Sequence, residues 1–352
     1  MAVSATKISR RLTTRLLLGL LAVTATAVAD PARAETKPAV VLRFALDRPI
    51  DAAAAPFTLA MENGLFRAAG LKVSISAAAN TRDAISRVAS GAADVALPDL
   101  NALIRYRDAA DAAPIKAVFI VQDKAPYAII ARKSRGVTTL ASLDGKTIGV
   151  ADGDMAIRMW PALARHNNIK LNGVKQEKTS AAVREPMLSA GQVDAVTGYS
   201  FLSAINLRDR GIPADDLAIF RFSDFGSRAY GAALIVNPRF AADNPDAVRG
   251  FLRAVSDGIR LTTRSPAAAV DSVIAQMPSG SRELETERLR AILHDALLTR
   301  EGASEVLGAI DATRFDASVN DIADDFNFRK RPALRDIFDD SYLPGSSERT
   351  TN

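Results

Sequence analysis

No cysteine occurs among the 352 residues. That absence removes disulfide frameworks, thiolate nucleophiles, iron–sulfur ligation and cysteine-zinc sites from consideration. It also removes the residue on which bacterial lipoproteins are lipidated. Histidine is nearly absent too, with two residues, and tryptophan is represented only by Trp160. Aromatic side chains make up 6% of the chain. Past residue 29 no apolar run reaches the length needed to span a bilayer. An excess of positive charge is also lacking once the N-terminus is set aside. Of the 45 Lys/Arg and 40 Asp/Glu, residues 1–34 hold five and one, so the remainder carries 40 and 39, a net charge of +1. A nucleic-acid binder needs surplus cations to displace counterions and aromatic rings to stack on bases, so nucleic acid is not an expected partner.

The first 34 residues read as an export leader. Lys7, Arg10, Arg11 and Arg15 precede a 14-residue apolar run, residues 16–29, and Ala32-Arg33-Ala34 supplies small residues at a cleavage site, making Glu35 the first mature residue. The run is too short to cross a membrane as a helix. Ser9-Arg10-Arg11 suits the twin-arginine route, whereas Thr13 and Thr14 stand where that motif prefers bulky apolar residues, so the route stays open. Export without a lipid anchor implies the periplasm.

The remaining chain carries one module twice, 100 residues apart. A helical segment runs into Ser90-Gly91-Ala92-Ala93-Asp94-Val95, and again into Ala190-Gly191-Gln192-Val193-Asp194-Ala195. In each copy glycine can take the left-handed conformation that ends a helix, and a short apolar strand follows. Strands are expected at 40–46, 71–75, 94–97, 115–121, 127–132, 146–150, 217–222 and 232–236. Helices are expected at 56–66, 82–90, 101–109, 155–167, 184–190 and 203–210, with a helical region over 245–298. Alternating strand and helix implies an α/β protein with mostly parallel sheets. Ligands of such sheets bind beyond the carboxyl ends of the strands, and two such edges facing one another predict a cleft.

Familiar catalytic signatures fail on inspection. Asp144-Gly145-Lys146-Thr147 resembles the end of a phosphate loop, but Leu140 occupies the position of the earlier glycine. Gly198-Tyr199-Ser200-Phe201-Leu202 lacks the closing glycine of a nucleophile elbow. His166 and His294 read as surface residues, and Trp160 as core. What remains is a set of polar and aromatic residues at expected strand ends, and these are the candidate ligand-binding residues: Asp47, Asp99, Asn101, Asp152, Arg184, Tyr199, Ser200, Asp224 and Tyr230. Arg184 could pair in a bidentate manner with a sulfonate, nitrate or carboxylate. Asp47, Asp99 or Asp224 could accept hydrogen bonds from an aminopyrimidine stacked on Tyr199 or Tyr230. No catalytic residue, metal site or cofactor is expected.

Several segments together resemble the periplasmic solute-binding proteins of ABC importers, in the group that binds nitrate, sulfonates, taurine and pyrimidine precursors of thiamine. They are Glu62-Asn63-Gly64-Leu65-Phe66 with Gly70-Leu71-Lys72-Val73, both copies of the module, Leu143-Asp144-Gly145-Lys146-Thr147-Ile148-Gly149-Val150, and Asn237-Pro238-Arg239-Phe240 with Asn244-Pro245. The resemblance implies a two-lobed periplasmic binding protein fold of type II, each lobe a mixed, mostly parallel sheet flanked by helices. Lobe one would comprise residues 39–130 plus 229–330, lobe two 131–228, and 331–352 a tail along the surface. It also implies a monomer that captures a small molecule and delivers it to an ABC permease with its ATPase. Asp224-Phe225-Gly226 followed by Tyr230 resembles the pyrimidine-precursor branch, whereas Asp47-Arg48-Pro49-Ile50 lacks the aromatic residue often found there in that branch. Two alternatives remain: a ligand sensor without transport, and an enzyme like the fungal pyrimidine-precursor synthases, which share the architecture but rely on a cysteine-rich motif and a reacting histidine.

Overall fold

A computed structural model describes residues 38–297 and 306–350. The expected leader lies outside the described residues. Strand β1 (Val40–Leu46) is followed by helices α1 (Ala55–Glu62) and α2 (Leu65–Ala68), separated where Gly64 turns left-handed. Then come β2 (Leu71–Ala77), α3 (Thr81–Ser90), β3 (Val95–Leu97), α4 (Leu100–Arg107) and β4 (Lys116–Ile120). Residues 121–126 cross to a second sheet, built from β5 (Tyr127–Arg132), β6 (Thr147–Ala151), α5 (Met155–His166), β7 (Lys175–Thr179), α6 (Arg184–Ala190), β8 (Ala195–Tyr199), α7 (Ser200–Asp209) and β9 (Leu217–Arg221). Residues 222–232 cross back to β10 (Ala233–Val236). Helices α8 (Pro238–Asp243), α9 (Pro245–Arg264), α10 (Pro266–Ile274), α11 (Arg282–Ile292), α12 (Ala312–Phe326) and α13 (Leu334–Ile337) complete the described chain.

The two sheets share one plan. The first has the order β2-β1-β3-β10-β4 and the second β7-β6-β8-β5-β9. In each, three strands run parallel, and the fourth in the order is antiparallel to both of its neighbours. That antiparallel strand is the one reached by a crossing, β10 in the first sheet and β5 in the second. All of β5 pairs within the second sheet, so the lobe limits expected at 130 and 228 fall inside β5 and inside the second crossing.

The duplicated module explains why the plans match. Gly91 and Gly191 both cap their helices at φ 77°, where a side chain would be strained. Three residues on, Asp94 accepts a hydrogen bond from the Arg43 amide (2.8 Å) and donates its own amide to the Arg43 carbonyl (2.9 Å). Asp194 does the same with Thr147, at 2.9 Å in both directions. Each aspartate thus fastens the incoming strand to its parallel neighbour, Asp94 midway along β1 and Asp194 at the start of β6. The arrangement needs only glycine to stop the helix and a short carboxylate to reach back.

Helices cover both faces of each sheet. Strands β4, β5 and β10 are almost wholly buried, which is why their sequences are continuous apolar runs. Trp160 is in the core of the second sheet, 1% exposed. The tail follows the surface and is pinned there: Arg349 is buried and donates to the carbonyls of Pro344 and Leu307. Among the described residues no helix is long and apolar enough to cross a membrane. The carboxyl edges of the two sheets touch, through Asp99 and Tyr127. Phe201 of α7, on the second sheet's side, is fully buried against the core that contains Phe44, Leu46 and Phe57, a burial worth about 2–3 kcal/mol.

Asp194→Ala should remove one charge-assisted backbone hydrogen bond and lower stability by about 1–2 kcal/mol. Urea unfolding monitored by circular dichroism measures it, and an unchanged midpoint would show that the duplicated aspartate does not fasten the strand.

Candidate functional site

A polar and aromatic cluster fills the place where the carboxyl edges meet. Asp99 ends the loop after β3 and caps α4, its Oδ1 accepting from the amide of Asn101 (2.8 Å). Its Oδ2 accepts from the Tyr127 hydroxyl at 2.6 Å. Tyr127 opens β5, and because β5 is antiparallel, its first residue lies at the carboxyl edge of the second sheet. Asn101 Nδ2 donates to the Tyr127 hydroxyl (2.8 Å) and to the Tyr230 carbonyl (2.9 Å). Asp99, Asn101 and Tyr127 are at most 2% exposed and form a buried floor.

Above this floor lie Tyr199, at the end of β8, and Arg48, just beyond β1. The Tyr199 and Tyr127 rings are stacked with centroids 6.1 Å apart, and the Tyr199 hydroxyl reaches Asp99 at 3.5 Å. The Arg48 guanidinium lies 4.7 Å from the Tyr199 ring centroid and donates to both carboxylate oxygens of Asp47, at 2.8 and 3.1 Å. Burial disfavours the charge on Arg48, but Asp47 and Tyr199 outweigh it and raise its pKa. Burial pushes the Asp99 carboxyl up to about 6, against the lowering effect of its Tyr127 and Asn101 donors. Burial, reinforced by the charge of Asp99, keeps both tyrosines protonated well above their usual range.

Beside Tyr199, in the second sheet alone, Arg184 is enclosed by acids. Its Nη1 donates to Asp154 Oδ2 (2.8 Å) and its Nη2 to Glu185 Oε1 (3.0 Å). Thr197 and Ser203 complete the same two carboxylates, at 2.6 Å each. Gly198 makes room for this group: a Cβ there would come within 2.3 Å of Ser203 Oγ. The third nitrogen of the group, Arg184 Nε, is buried without a partner. Two guanidinium groups are therefore set among four carboxyl groups, those of Asp47, Asp99, Asp154 and Glu185.

The structure brings Asp47, Asp99, Asn101 and Tyr199 together from the sequence-based set and puts Arg184 close by, already neutralised. Ser200 is adjacent but turned away, donating to Asp295 Oδ2 at 2.9 Å. Asp152 is an exposed turn residue, and Asp154, two positions on, is the aspartate that points inward. Asp224 is exposed on the helical turn of the second crossing, outside the cluster. The Tyr230 side chain faces the opposite way, its hydroxyl accepting from the Asp311 amide and its ring lying 3.9 Å from the Arg314 guanidinium, so only its carbonyl joins the cluster. Tyr127 and Glu185 are the contributors that sequence reasoning did not single out. A lone tyrosine leading an apolar strand, Pro126-Tyr127-Ala128-Ile129, was the available signal for the first. His294 is 84% exposed, and His166 is exposed at the end of α5.

Two hollows lie away from this junction. One, of about 350 Å³ between α5 and α12, is bordered by the ion pairs Arg165–Asp325 and Arg228–Asp321, which satisfy one another. The other, of about 270 Å³, is lined by apolar groups such as Val121, Leu297 and Leu307 together with Asp123 and Asp311. Neither draws residues from both carboxyl edges.

Residues 51–269 match the family model described as NMT1/THI5 like. The chain is 26% identical over 238 residues to the 4-amino-5-hydroxymethyl-2-methylpyrimidine phosphate synthase THI13 of Saccharomyces cerevisiae, covering 65% of this chain and 69% of that protein. It is 25% identical over 233 residues to the riboflavin-binding protein RibY of Chloroflexus aurantiacus, covering 64% and 63%. Among solved structures, the periplasmic aliphatic sulphonate binding protein SsuA of Escherichia coli superposes with a TM-score of 0.69 at 15% identity, covering 87% of this chain and 94% of that one. The periplasmic nitrate-binding protein NrtA of Synechocystis gives 0.64 at 12% identity, covering 86% and 87%. The fold is that of the periplasmic binding proteins.

The raised Asp99 pKa carries a sign. The folded state holds this proton up to about pH 6, whereas an unfolded chain releases it near pH 4. The stability of the wild type relative to Asp99→Asn should therefore be greatest below pH 4 and fall as the pH rises through 6, by on the order of 3 kcal/mol. Urea titrations of both proteins at several pH values between 4 and 7 measure the difference, and a flat difference would count against the buried, proton-holding carboxyl.

Proposed function

Because the chain belongs to the NMT1/THI5-like family, we propose that it is a periplasmic solute-binding protein, not an enzyme, which captures a small nitrogen heterocycle at the junction and passes it to an ABC permease. The observation that carries this reading is that side chains from both carboxyl edges, Asp47, Arg48 and Asp99 from the first and Tyr127 and Tyr199 from the second, converge on one partly buried cluster. A molecule contacting both edges favours the arrangement in which they meet over one in which they are apart, and this is how a two-lobed protein signals occupancy. On this reading the lobes divide at the crossings, residues 121–126 and 222–232, and the exported protein acts as a monomer.

The charge pattern favours ligands that donate hydrogen bonds. Carboxyl groups outnumber guanidinium groups, and both Arg184 Nη atoms are engaged by acids. A sulfonate or nitrate would enter against Asp47 and Asp99, where both arginines are already paired with acids. An aminopyrimidine instead offers an amino group to Asp99 and a flat face to Tyr199. The pyrimidine in the name of the Saccharomyces cerevisiae relative points the same way. That name also favours synthase activity, the second reading. The absence of cysteine and the exposed, remote histidines speak against it, and consumption of a pyrimidine precursor or release of a new pyrimidine by the purified protein would establish it.

Calorimetric titration of the protein from Glu35 onward with 4-amino-5-hydroxymethyl-2-methylpyrimidine should give saturable binding, with taurine, methanesulfonate and nitrate silent. At 100 times its dissociation constant the pyrimidine should add about 2.7 kcal/mol of stability. Asp99→Asn should weaken it about tenfold or more. Binding of a sulfonate or nitrate with none of the pyrimidine would overturn the ligand class.

A further inference from the structure

The two arginines of the junction are held differently. Arg184 is 8% exposed and clamped inside one sheet's side. Arg48 comes from the first sheet's edge, and its planar guanidinium lies over rings of the second, 4.7 Å from the Tyr199 centroid and 5.9 Å from that of Phe201. Asp47 takes it in a two-point grip at 2.8 and 3.1 Å. Tyr199 in turn adjoins the buried floor of Asp99 and Tyr127, while 22% of the Arg48 side chain is exposed. It stands in residues 47–50, which have no strand or helix pairing to hold them. A planar group rich in N–H donors therefore rests on an aromatic face, paired with a carboxylate and partly open to solvent.

Those are the interactions a planar nitrogenous ligand would itself make. We propose that Arg48 is a built-in stand-in for the ligand: it occupies the Tyr199 face and the Asp47 carboxylate, and a planar N–H-donor solute binds by displacing it. The inference rests on the junction being the ligand site. It makes Arg48 a specificity-determining residue, because an incoming molecule must replace both the ring contact and the paired hydrogen bonds that Arg48 gives up. An aliphatic amine supplies donors without the flat face, and an apolar ring supplies the face without donors. The 47–50 segment can carry Arg48 into solvent without breaking a ladder hydrogen bond.

The test is calorimetry on wild type, Arg48→Ala and Arg48→Ala/Tyr199→Leu, with 4-aminopyrimidine and methylguanidinium as probes. Arg48→Ala should bind 4-aminopyrimidine at least tenfold more tightly than wild type, methylguanidinium should compete for the same site, and the double variant should lose both. Arg48→Lys, which keeps the charge but not the planar stack, should fall between wild type and alanine, and serves if the alanine protein does not fold. Equal or weaker binding of 4-aminopyrimidine by the folded variants overturns the proposal, since Arg48 would then be a ligand contact or structural only. So does recovery of stability by methylguanidinium without competition, the signature of a filled cavity. If Arg48→Ala binds both probes competitively while neither protein binds the hydroxymethylpyrimidine, the stand-in holds and the ligand assigned above fails.

Discussion

A hydrogen bond between a phenol and a buried carboxylate stands at the centre of the contact between the two halves of this molecule. Tyr127 begins the strand that enters the second sheet, and Asp99 ends the loop leaving β3 of the first; at 2.6 Å they meet with almost no exposure to water. Around that contact the remaining polar groups have little freedom. Asn101 must donate to Tyr127 and to the Tyr230 carbonyl, Tyr199 must stack on Tyr127, and Asp99 cannot ionise without a desolvation penalty. A buried network of this kind is tolerable only when each member is satisfied. That constraint fixes the position of each sheet's edge against the other.

Much of the architecture was legible because it is written in side chains that the backbone needs. Gly91 and Gly191 stop helices, Asp94 and Asp194 fasten strands, and the apolar runs of β4, β5 and β10 are continuous because both faces are covered. The mixed, mostly parallel sheets and their two-fold plan follow from those residues. Strand β7 was not legible: Lys175-Gln176-Glu177-Lys178-Thr179 has no apolar position, and only its parallel pairing to β6 makes it a strand. Helix α12 went unassigned although Phe315, Val319, Ile322 and Phe326 lie at helical spacing and are buried; the pattern was there to be read.

The site was half legible, for a different reason. Position at a strand end can be inferred from sequence, but direction cannot. Asp99 and Tyr199 point into the junction, whereas Asp152, Asp224 and the Tyr230 ring point elsewhere because of local turns and of α12, which is remote in sequence. Arg184 shows the further limit. Its candidacy as an anion clamp depended on a free guanidinium, and whether it is free is decided by Asp154, 30 residues away, and by Glu185 beside it. Charge type is visible in a sequence, while charge compensation is a property of the fold.

Compensation also bears on how firmly the halves are held. Helix α11 packs with α10 and the turn at 52–54 on the first sheet's side, yet it reaches across to α7 through Arg208–Glu287 and through Arg288 to Asn206. Just beyond it, Asp295 accepts from Ser200 and from Arg221 at the end of β9. Arg208–Glu287 is a partly exposed pair, the kind that contributes at most about 1 kcal/mol and is remade readily with water. Asp295 is more costly to separate, since its side chain is 3% exposed and would lose two donors at once. The contacts between the halves thus combine a dry hydrogen-bonded centre and a rim of weaker polar ties with apolar anchors, Phe201 of α7 and Ile322 and Phe326 of α12. An interface dominated by apolar area would hold whether or not a solute were present. A contact of mixed character, on the proposed reading, leaves a solute's own contacts at the junction able to shift the balance between halves that meet and halves that part.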